Sequence, residues 1–376
     1  MGFDLPAFTQ TLLRRASVTP ADDGALGALG DALRALGFMV TPLAFGPEDA
    51  PTPNLFARLG EAGPHLGFAG HTDVVPPGPG WDHEPFGGEI AGGRIWGRGA
   101  ADMKGGIAAF VAALADLLAA RPLKGSVSLL ITGDEEGSAR HGTRDMLPWM
   151  AARGHIPDFC LVGEPTNPSA LGEVIKIGRR GSLNAAITVR GVQGHSAYPQ
   201  RADNPVHRLV DLLHELQRHR LDEGNEVFEP SCLQITSVDV GNPATNVIPA
   251  EAAARLNIRF NDLHTGAGLE AWLREVVARH ASDATVEVQI SGEAFRTAPG
   301  GAVTLLADAV EHVTGQRPAL DTGGGTSDAR FIACYCPVAE FGLVGATMHK
   351  ADEHVALADL EALRAIYRDF MEAFGV

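Results

Sequence analysis

Cysteine is scarce in this sequence, and its few cysteines form no known metal or redox motif. The four cysteines are Cys160, Cys232, Cys334 and Cys336. No CxxC pair occurs, and the spacing of Cys334 and Cys336 matches no zinc ribbon. So few cysteines in a chain of 376 residues favour a reducing compartment.

Positive charge is also in short supply. The chain has 30 Lys and Arg against 46 Asp and Glu, which gives a formal net charge of −16. Proteins that bind nucleic acid are usually basic, so we expect no nucleic-acid partner. An anionic small molecule would need local positive charge, supplied by metal ions or by arginines.

Segments that would direct the chain to or across a membrane are not expected from the sequence. The segment MGFDLPAFTQTLLRRAS has no basic start followed by apolar residues, so we expect no signal peptide. The longest apolar helical stretch, residues 107–120, contains Asp116 and is too short to cross a bilayer. We expect a soluble cytoplasmic protein with no membrane partner, and the length predicts about two domains.

Several apolar runs are each followed by a residue type that binds metals. Continuous apolar runs bounded by Gly and Pro are typical of buried parallel strands, and sites in open α/β sheets lie outside the carboxyl ends of the strands. Asp102 differs, because it precedes a predicted helix over 103–119 in a Gly-rich segment. We predict an α/β fold with a mixed, mostly parallel sheet flanked by helices. The four runs are 66–69 before His71, 127–132 before Glu135 and Glu136, 159–162 before Glu164, and 338–344 before His349.

The middle of the chain has a different pattern. Its order is βαββαβ, which is the ferredoxin-like unit. We predict an insert at 181–295 within a catalytic domain of residues 1–180 and 296–376, and we expect its open sheet edge to serve dimerisation. Strands are predicted over 182–190, 233–239, 252–260 and 285–290, and helices over 204–219 and 266–280.

Five residues fit a centre for two metal ions. Two imidazoles and three carboxylates are sufficient for two divalent ions if one carboxylate, most naturally that of Asp102, bridges them, and such a pair can promote hydrolysis. Nitrogen and oxygen donors without thiolate favour Zn²⁺, while Co²⁺ and Mn²⁺ also fit. Each residue alone has an ordinary alternative, a helix N-cap for Asp102 and a loop position for the others. The five are His71, Asp102, Glu136, Glu164 and His349.

Two further carboxylates have other predicted roles. Asp73 follows His71 by two residues and could orient its imidazole ring. Glu135 and Glu136 are adjacent after a strand, and neighbours on extended backbone point in opposite directions. With Glu136 on a metal, Glu135 is the candidate general acid and base, and a solvated acidic turn is the alternative.

These segments together resemble the M20 family of metallopeptidases and amidohydrolases. The resemblance extends over nearly the whole chain. It implies that one ion is bound by His71 and Glu164, the other by Glu136 and His349, with Asp102 between them and Glu135 as acid and base. It also implies a homodimer in which the insert acts as a lid and dimerisation domain. The motifs are GHTDVVPPG, GRGAADMKGG, TGDEEG, VGEPT, GRRGSLNAAITVRGVQGHSAYP, NVIP, GGGTSDARF and MHKADEHV.

Three motifs, RRGSL, QGHSAYP and GGTSDARF, resemble those of family members that hydrolyse N-succinyl-LL-2,6-diaminopimelate to succinate and LL-2,6-diaminopimelate in lysine biosynthesis. The resemblance implies that His195 of one subunit reaches the tetrahedral oxyanion in the other. Position 345 is Gly where many such members have Asn, so one substrate contact is expected to be missing or supplied elsewhere. The implied substrate-binding residues are Arg179, Tyr198, Asn246, Arg259, Gly325, Thr326 and Ser327.

Two alternatives to this activity remain open from the sequence. One is another M20 deacylase, such as an acetylornithine deacetylase or an aminoacylase. The other is a relative that has kept the fold and binds a ligand without catalysis, although all five metal-ligand types and the candidate base are present.

Overall fold

The computed structural model describes residues 2–376, and within that range the chain forms nine α-helices and nineteen strands. The helices are α1 (Leu5–Leu13), α2 (Ala25–Ala35), α3 (Gly105–Ala120), α4 (Thr143–Ala151), α5 (Pro205–Arg218), α6 (Gly266–His280), α7 (Gly301–Thr314), α8 (Ala329–Ile332) and α9 (Leu357–Phe374). The strands are β1 (Met39–Phe45), β2 (Thr52–Leu59), β3 (His65–His71), β4 (Glu89–Ala91), β5 (Arg94–Trp96), β6 (Ser126–Thr132), β7 (Phe159–Val162), β8 (Val174–Lys176), β9 (Gly178–Arg179), β10 (Gly181–Arg190), β11 (Gly194–His195), β12 (Cys232–Asp239), β13 (Val247–Ile248), β14 (Glu251–Phe260), β15 (Thr285–Gly292), β16 (Phe295–Arg296), β17 (Ala319–Asp321), β18 (Val338–Glu340) and β19 (His354–Ala356).

The chain divides into two compact units. Unit 1 comprises the chain up to Ile177 together with Thr297–Asp321 and Ser327–Val376. Unit 2 comprises Gly178–Arg296 and the short segment Thr322–Thr326.

Unit 1 is built on an eight-stranded sheet in the order β1-β2-β6-β3-β7-β18-β8-β17. Its four central strands, β6-β3-β7-β18, are parallel. Strand β1 pairs antiparallel with β2, β2 pairs antiparallel with β6, and β8 pairs antiparallel with β18. Every residue of β3, β6 and β7 is buried, as expected for strands covered on both faces. The predicted mixed, mostly parallel α/β sheet is therefore confirmed.

The last parallel strand is shorter than the sequence predicts. The apolar run over 338–344 forms a strand only at Val338–Glu340. A Cβ on Gly342 would lie 2.4 Å from the carbonyl oxygen of Gly163, so the two backbones touch there. This close approach takes the chain out of regular strand pairing, although the apolar side chains Phe341 and Leu343 remain buried.

Helix α3 is the central helix of unit 1. It is apolar around most of its circumference, and Phe110 stacks on Phe68 of β3 with ring centroids 4.0 Å apart. Together with the turn before it, the helical segment Ala100–Ala120 has 21 residues, so it is longer than the stretch predicted from sequence and long enough to cross a membrane. Its most apolar window is 72% buried inside the fold, which is the behaviour of a core helix.

Unit 2 is a four-stranded antiparallel sheet in the order β12-β14-β10-β15 with two helices, α5 and α6. This is the predicted ferredoxin-like βαββαβ arrangement. Helix α5 forms because Asn204 caps its N-terminus and because an apolar stripe with helical spacing is buried against the sheet. That stripe is Leu209, Leu212, Leu213 and Leu216.

The chain leaves unit 1 for this insert and returns to it at neighbouring points. The backbone N–H of Thr297 donates to the carbonyl oxygen of Ile177 at 2.7 Å. Both residues belong to unit 1, so the two ends of the insert are held side by side.

Candidate metal centre

The candidate metal ligands lie at one edge of the parallel sheet. Strand β3 ends at His71, Glu136 follows β6, and Glu164 follows β7. Because these strands are parallel neighbours, their carboxyl ends lie at the same edge. His349 is in the loop after β18, and its φ of 61° places a non-glycine residue in the left-handed region, a conformation often found at functional sites.

Asp102 reaches the same edge from the turn that precedes α3. The turn spans Ala100–Lys104 and begins after Gly99, whose φ of 87° suits glycine. Asp102 itself has φ −125° and ψ 94°, so its backbone is extended although the surrounding turn is helical. Its position therefore differs from the simple helix N-cap considered as an alternative.

The carboxylate of Asp102 lies between the two imidazoles. Its Oδ1 is 3.2 Å from Nε2 of His71, and its Oδ2 is 3.2 Å from Nε2 of His349. Glu164 lies beside the first imidazole at 3.7 Å, and Glu136 lies beside the second at 2.8 Å. The donors thus form two groups, each with one imidazole and one terminal carboxylate, that share Asp102.

The first imidazole is oriented by a backbone carbonyl. Nδ1 of His71 donates to the carbonyl oxygen of Asp73 at 2.9 Å, while the nearer carboxylate oxygen of Asp73 is 3.6 Å away. This bond leaves Nε2 of His71 free to bind a metal. The carboxylate of Asp73 instead accepts the backbone N–H groups of Glu135 at 3.2 Å and Glu136 at 3.0 Å, so it holds the loop that carries both glutamates.

The same loop has a second anchor that the sequence reasoning missed. The buried carboxylate of Asp134 accepts the backbone N–H groups of Ser138 at 2.9 Å and Arg140 at 3.0 Å. An aspartate two residues after a strand, with a serine four residues further on, is typical of a loop closed by side-chain to backbone hydrogen bonds. This signal could have identified Asp134 as a support for Glu135.

Burial and crowding shift the ionisation of these groups. Burial raises the pKa of Glu135 to about 8, against the opposing charge of His71. Burial, and then the charge of Asp102, raise the pKa of Glu164 well above its ordinary value. The hydrogen bond to Asp102 raises the pKa of His349 to about 10. Crowded carboxylates of this kind are stabilised by nearby cations, so two imidazoles and three carboxylates without thiolate fit divalent ions.

Glu135 lies close to the first group. A distance of at most 4.8 Å separates any two of three atoms: a carboxylate oxygen of Glu135, a ring nitrogen of His71 and a carboxylate oxygen of Glu164. A carboxylate at that distance from a metal-binding imidazole can exchange a proton with a water molecule in the site.

The candidate substrate residues His195, Tyr198 and Asn246 are exposed in unit 2, near the small ladder formed by β11 and β13. The backbone N–H of Ala197 donates to Nδ1 of His195 at 3.1 Å, so the proton of a neutral ring is on Nε2. Arg259 is half-buried on β14.

Arg179 is buried and donates from Nη1 to the carbonyl oxygen of Gly325 at 3.1 Å, which fixes the segment containing Gly325 and Thr326. Ser327 belongs to unit 1, is 2% exposed and donates its hydroxyl to the buried carboxylate of Glu340 at 2.6 Å. Its hydroxyl hydrogen is therefore already used within the protein. At Gly345 a Cβ would lie 3.0 Å from the carbonyl oxygen of Pro165, so an asparagine there would need the backbone to shift.

The fold and the donor set together define the class, a metal-dependent hydrolase with an α/β catalytic sheet. Comparison with known proteins agrees. Residues 67–373 match the model of peptidase family M20/M25/M40. The chain belongs to this family, as the sequence motifs predict.

Two relatives and one solved structure illustrate the similarity. A succinyl-diaminopimelate desuccinylase of Gluconobacter oxydans is 64% identical over 99% of this chain and 98% of its own length. One of Gluconacetobacter diazotrophicus is 66% identical over 98% of this chain and 96% of its own length. The structure of an M20 metallo-carboxypeptidase from Sulfolobus solfataricus has a TM-score of 0.80 at 17% identity, covering 99% of this chain and all of that one, and shows the shared fold.

Proposed function

We propose that this protein hydrolyses the amide bond of N-succinyl-LL-2,6-diaminopimelate, releasing succinate and LL-2,6-diaminopimelate for lysine biosynthesis. The observation that carries the hydrolytic part is the position of Asp102, whose two oxygens each face a different imidazole Nε2 at 3.2 Å. The substrate is supported by relatives of that name that are 64% and 66% identical over nearly the whole chain.

We propose two Zn²⁺ ions as the cofactor, with Co²⁺ able to replace them. His71 and Glu164 would hold one ion, Glu136 and His349 the other, and Asp102 both. When bound, the ions would polarise the amide carbonyl and make a water molecule more acidic.

The protein's own groups then move the protons. Glu135 accepts a proton from the attacking water and later donates it to the departing amine. Its carboxylate is placed for both steps, because it lies within 4.8 Å of His71 and Glu164 and is partly buried. Asp73 keeps Glu135 in place through the backbone hydrogen bond at 3.2 Å.

Residues of unit 2 are proposed to bind the substrate and the oxyanion. The Nε2–H of His195 is free to donate, because Nδ1 already accepts from Ala197. We propose that this group, from the partner subunit of a homodimer, stabilises the oxyanion. Arg259, Tyr198 and Asn246 are the proposed contacts for the substrate's carboxylates and polar groups. We further propose a cytoplasmic location, in keeping with the unpaired cysteines.

The deciding experiment is a hydrolysis assay on the full-length protein loaded with Zn²⁺. N-succinyl-LL-2,6-diaminopimelate and N-acetylornithine are assayed side by side, with chelator-treated protein as the control. Metal-dependent release of succinate with little cleavage of acetylornithine supports the proposal. Cleavage of acetylornithine alone contradicts the substrate, and no metal-dependent turnover of either compound contradicts the activity.

A further inference from the structure

A buried ion pair lies beneath the turn that carries Asp102. Nη1 of Arg98 donates to Oε2 of Glu353 at 2.6 Å, although the two residues are 255 positions apart. Glu353 is fully buried and Arg98 is 1% exposed. Sequence reasoning gave no role to either residue.

The other oxygen of Glu353 holds the backbone of the metal-binding turn. Oε1 accepts the backbone N–H of Ala101 at 2.9 Å and that of Asp102 at 3.1 Å. The first N–H groups of a helical segment have no partners within the helix, so an outside acceptor is needed. Here that acceptor belongs to the loop that contains His349, and the carbonyl oxygen of Glu353 also accepts the N–H of Gly97 at 2.8 Å.

Arg98 extends this contact to the loop after His71. Its Nη2 donates to the carbonyl oxygen of Pro77 at 3.2 Å, and its guanidinium lies 5.2 Å from the ring centroid of Trp81. Trp81 donates to the same carbonyl oxygen at 2.8 Å. A single buried pair therefore connects three loops, and each of these loops follows or contains a candidate metal ligand.

Such a pair is poorly explained by stability alone. The free energy needed to remove two charges from water offsets much of the attraction between them, so buried ion pairs often contribute little net stability. The pair is better suited to fixing the relative positions of the loops, because the planar guanidinium of Arg98 and the carboxylate of Glu353 can bind each other in only a few orientations.

We propose that Glu353 and Arg98 are positioning residues that join the turn of Asp102 to the loop of His349, and that they thereby set the affinity of the metal ion that Glu136 and His349 would bind. This inference rests on the proposed two-ion centre. That ion would take two of its ligands, Asp102 and His349, from the two segments that Glu353 joins. The ion bound by His71 and Glu164 would take only Asp102 from these segments, since its other two ligands lie at or just after the ends of β3 and β7, which the sheet holds.

The test is a titration of metal-free protein with Co²⁺, followed by visible absorbance and calorimetry. Wild-type protein is expected to bind two equivalents. In Glu353→Ala, one equivalent should lose about tenfold or more in affinity, while the other stays within about threefold of wild type. Glu353→Gln should recover part of the loss, because its amide oxygen can still accept both backbone N–H groups. It is also the second variant if Glu353→Ala does not fold.

A matched control is available in the same unit. Arg364 and Asp116 form a two-fold ion pair at 2.6 and 2.7 Å between α9 and α3, with no role in the ligand loops. Asp116→Asn should bind both Co²⁺ ions like wild type. The proposal is overturned if Glu353→Ala binds both ions normally, or if Asp116→Asn shows the same selective loss. The titration uses no substrate, so its result can be interpreted even if the proposed substrate is wrong. A wild-type protein that binds fewer than two ions would overturn the two-ion centre and this proposal with it.

Discussion

The backbone N–H of Glu136 donates to Oδ2 of Asp73 at 3.0 Å, so a carboxylate at the end of β3 fixes a metal-binding residue after β6. Asp73→Asn should weaken this support. The amide can accept one of the two N–H groups of Glu135 and Glu136, but its NH₂ group cannot accept the other. We expect a loss of about 10- to 100-fold in kcat or metal affinity.

Steady-state kinetics and metal analysis check this prediction. Asp145→Asn is the control, because Asp145 also pairs with a histidine, His141, but lies on α4. Wild-type kinetics and metal content in Asp73→Asn would show that the loop does not depend on this carboxylate.

Glu135→Gln should separate metal binding from turnover. The amide is nearly the same size as the carboxylate but cannot carry a proton between water and amine. We expect kcat to fall about 10²- to 10⁴-fold with unchanged metal content, measured by elemental analysis. The exposed Glu61→Gln serves as the control. Near-normal turnover of Glu135→Gln would remove Glu135 from the mechanism.

Mixing two inactive variants tests whether His195 acts across a dimer. In a mixed dimer of Glu135→Gln and His195→Ala, one site has its own Glu135 and the partner's His195. Random exchange of subunits should therefore restore about one quarter of wild-type activity. Sedimentation measures the oligomeric state of each variant. Absence of any recovery from well-mixed dimers would indicate that His195 does not act in the neighbouring site.

His65 should make the stability of the protein depend on pH. Burial, and then the charge of Arg58, lower the pKa of His65 from 6.5 to about 4. The folded state therefore favours the neutral ring. The neutral His65 ring makes its full contribution to the free energy of unfolding above about pH 6.5, and this contribution is lost as the pH falls towards 4. Between pH 7 and pH 5 the expected loss is about 2 kcal/mol.

Urea unfolding at the two pH values measures this loss. In His65→Gln, whose amide can keep the hydrogen bond to Ser128, the decrease in the free energy of unfolding should be smaller by that amount. His207→Gln, an exposed histidine on α5, should behave like wild type. Equal decreases in wild type and His65→Gln would contradict the prediction.

Much of the fold could be predicted because it depends on local patterns. Helix α6 and strand β7 have the predicted bounds, and the ends of β3 and β6 differ from the predicted ones by at most two residues. Apolar runs bounded by glycine and proline specify buried parallel strands, and alternation specifies the half-exposed strands of unit 2. The family and the fold class are confirmed by the comparisons.

The supports of the site were not predictable in the same way. Glu353 and Arg98 are joined only by the folded structure, and no spacing or periodicity connects positions that far apart. The sequence also does not indicate which atom of Asp73 contacts the His71 ring, and in the structure the carbonyl oxygen, at 2.9 Å, is closer than the carboxylate, at 3.6 Å. Which atom of a residue makes a contact depends on backbone direction, and the sequence pattern does not specify that direction. The roles of the metal and substrate residues stay predictions.

The hydrogen bond between Thr297 and Ile177 also has an evolutionary consequence. Because the insert begins and ends at neighbouring points, a gene could gain, lose or exchange it through one event without reordering the strands that carry the metal ligands. The candidate metal ligands would be inherited unchanged through such an event, because all of them lie in unit 1.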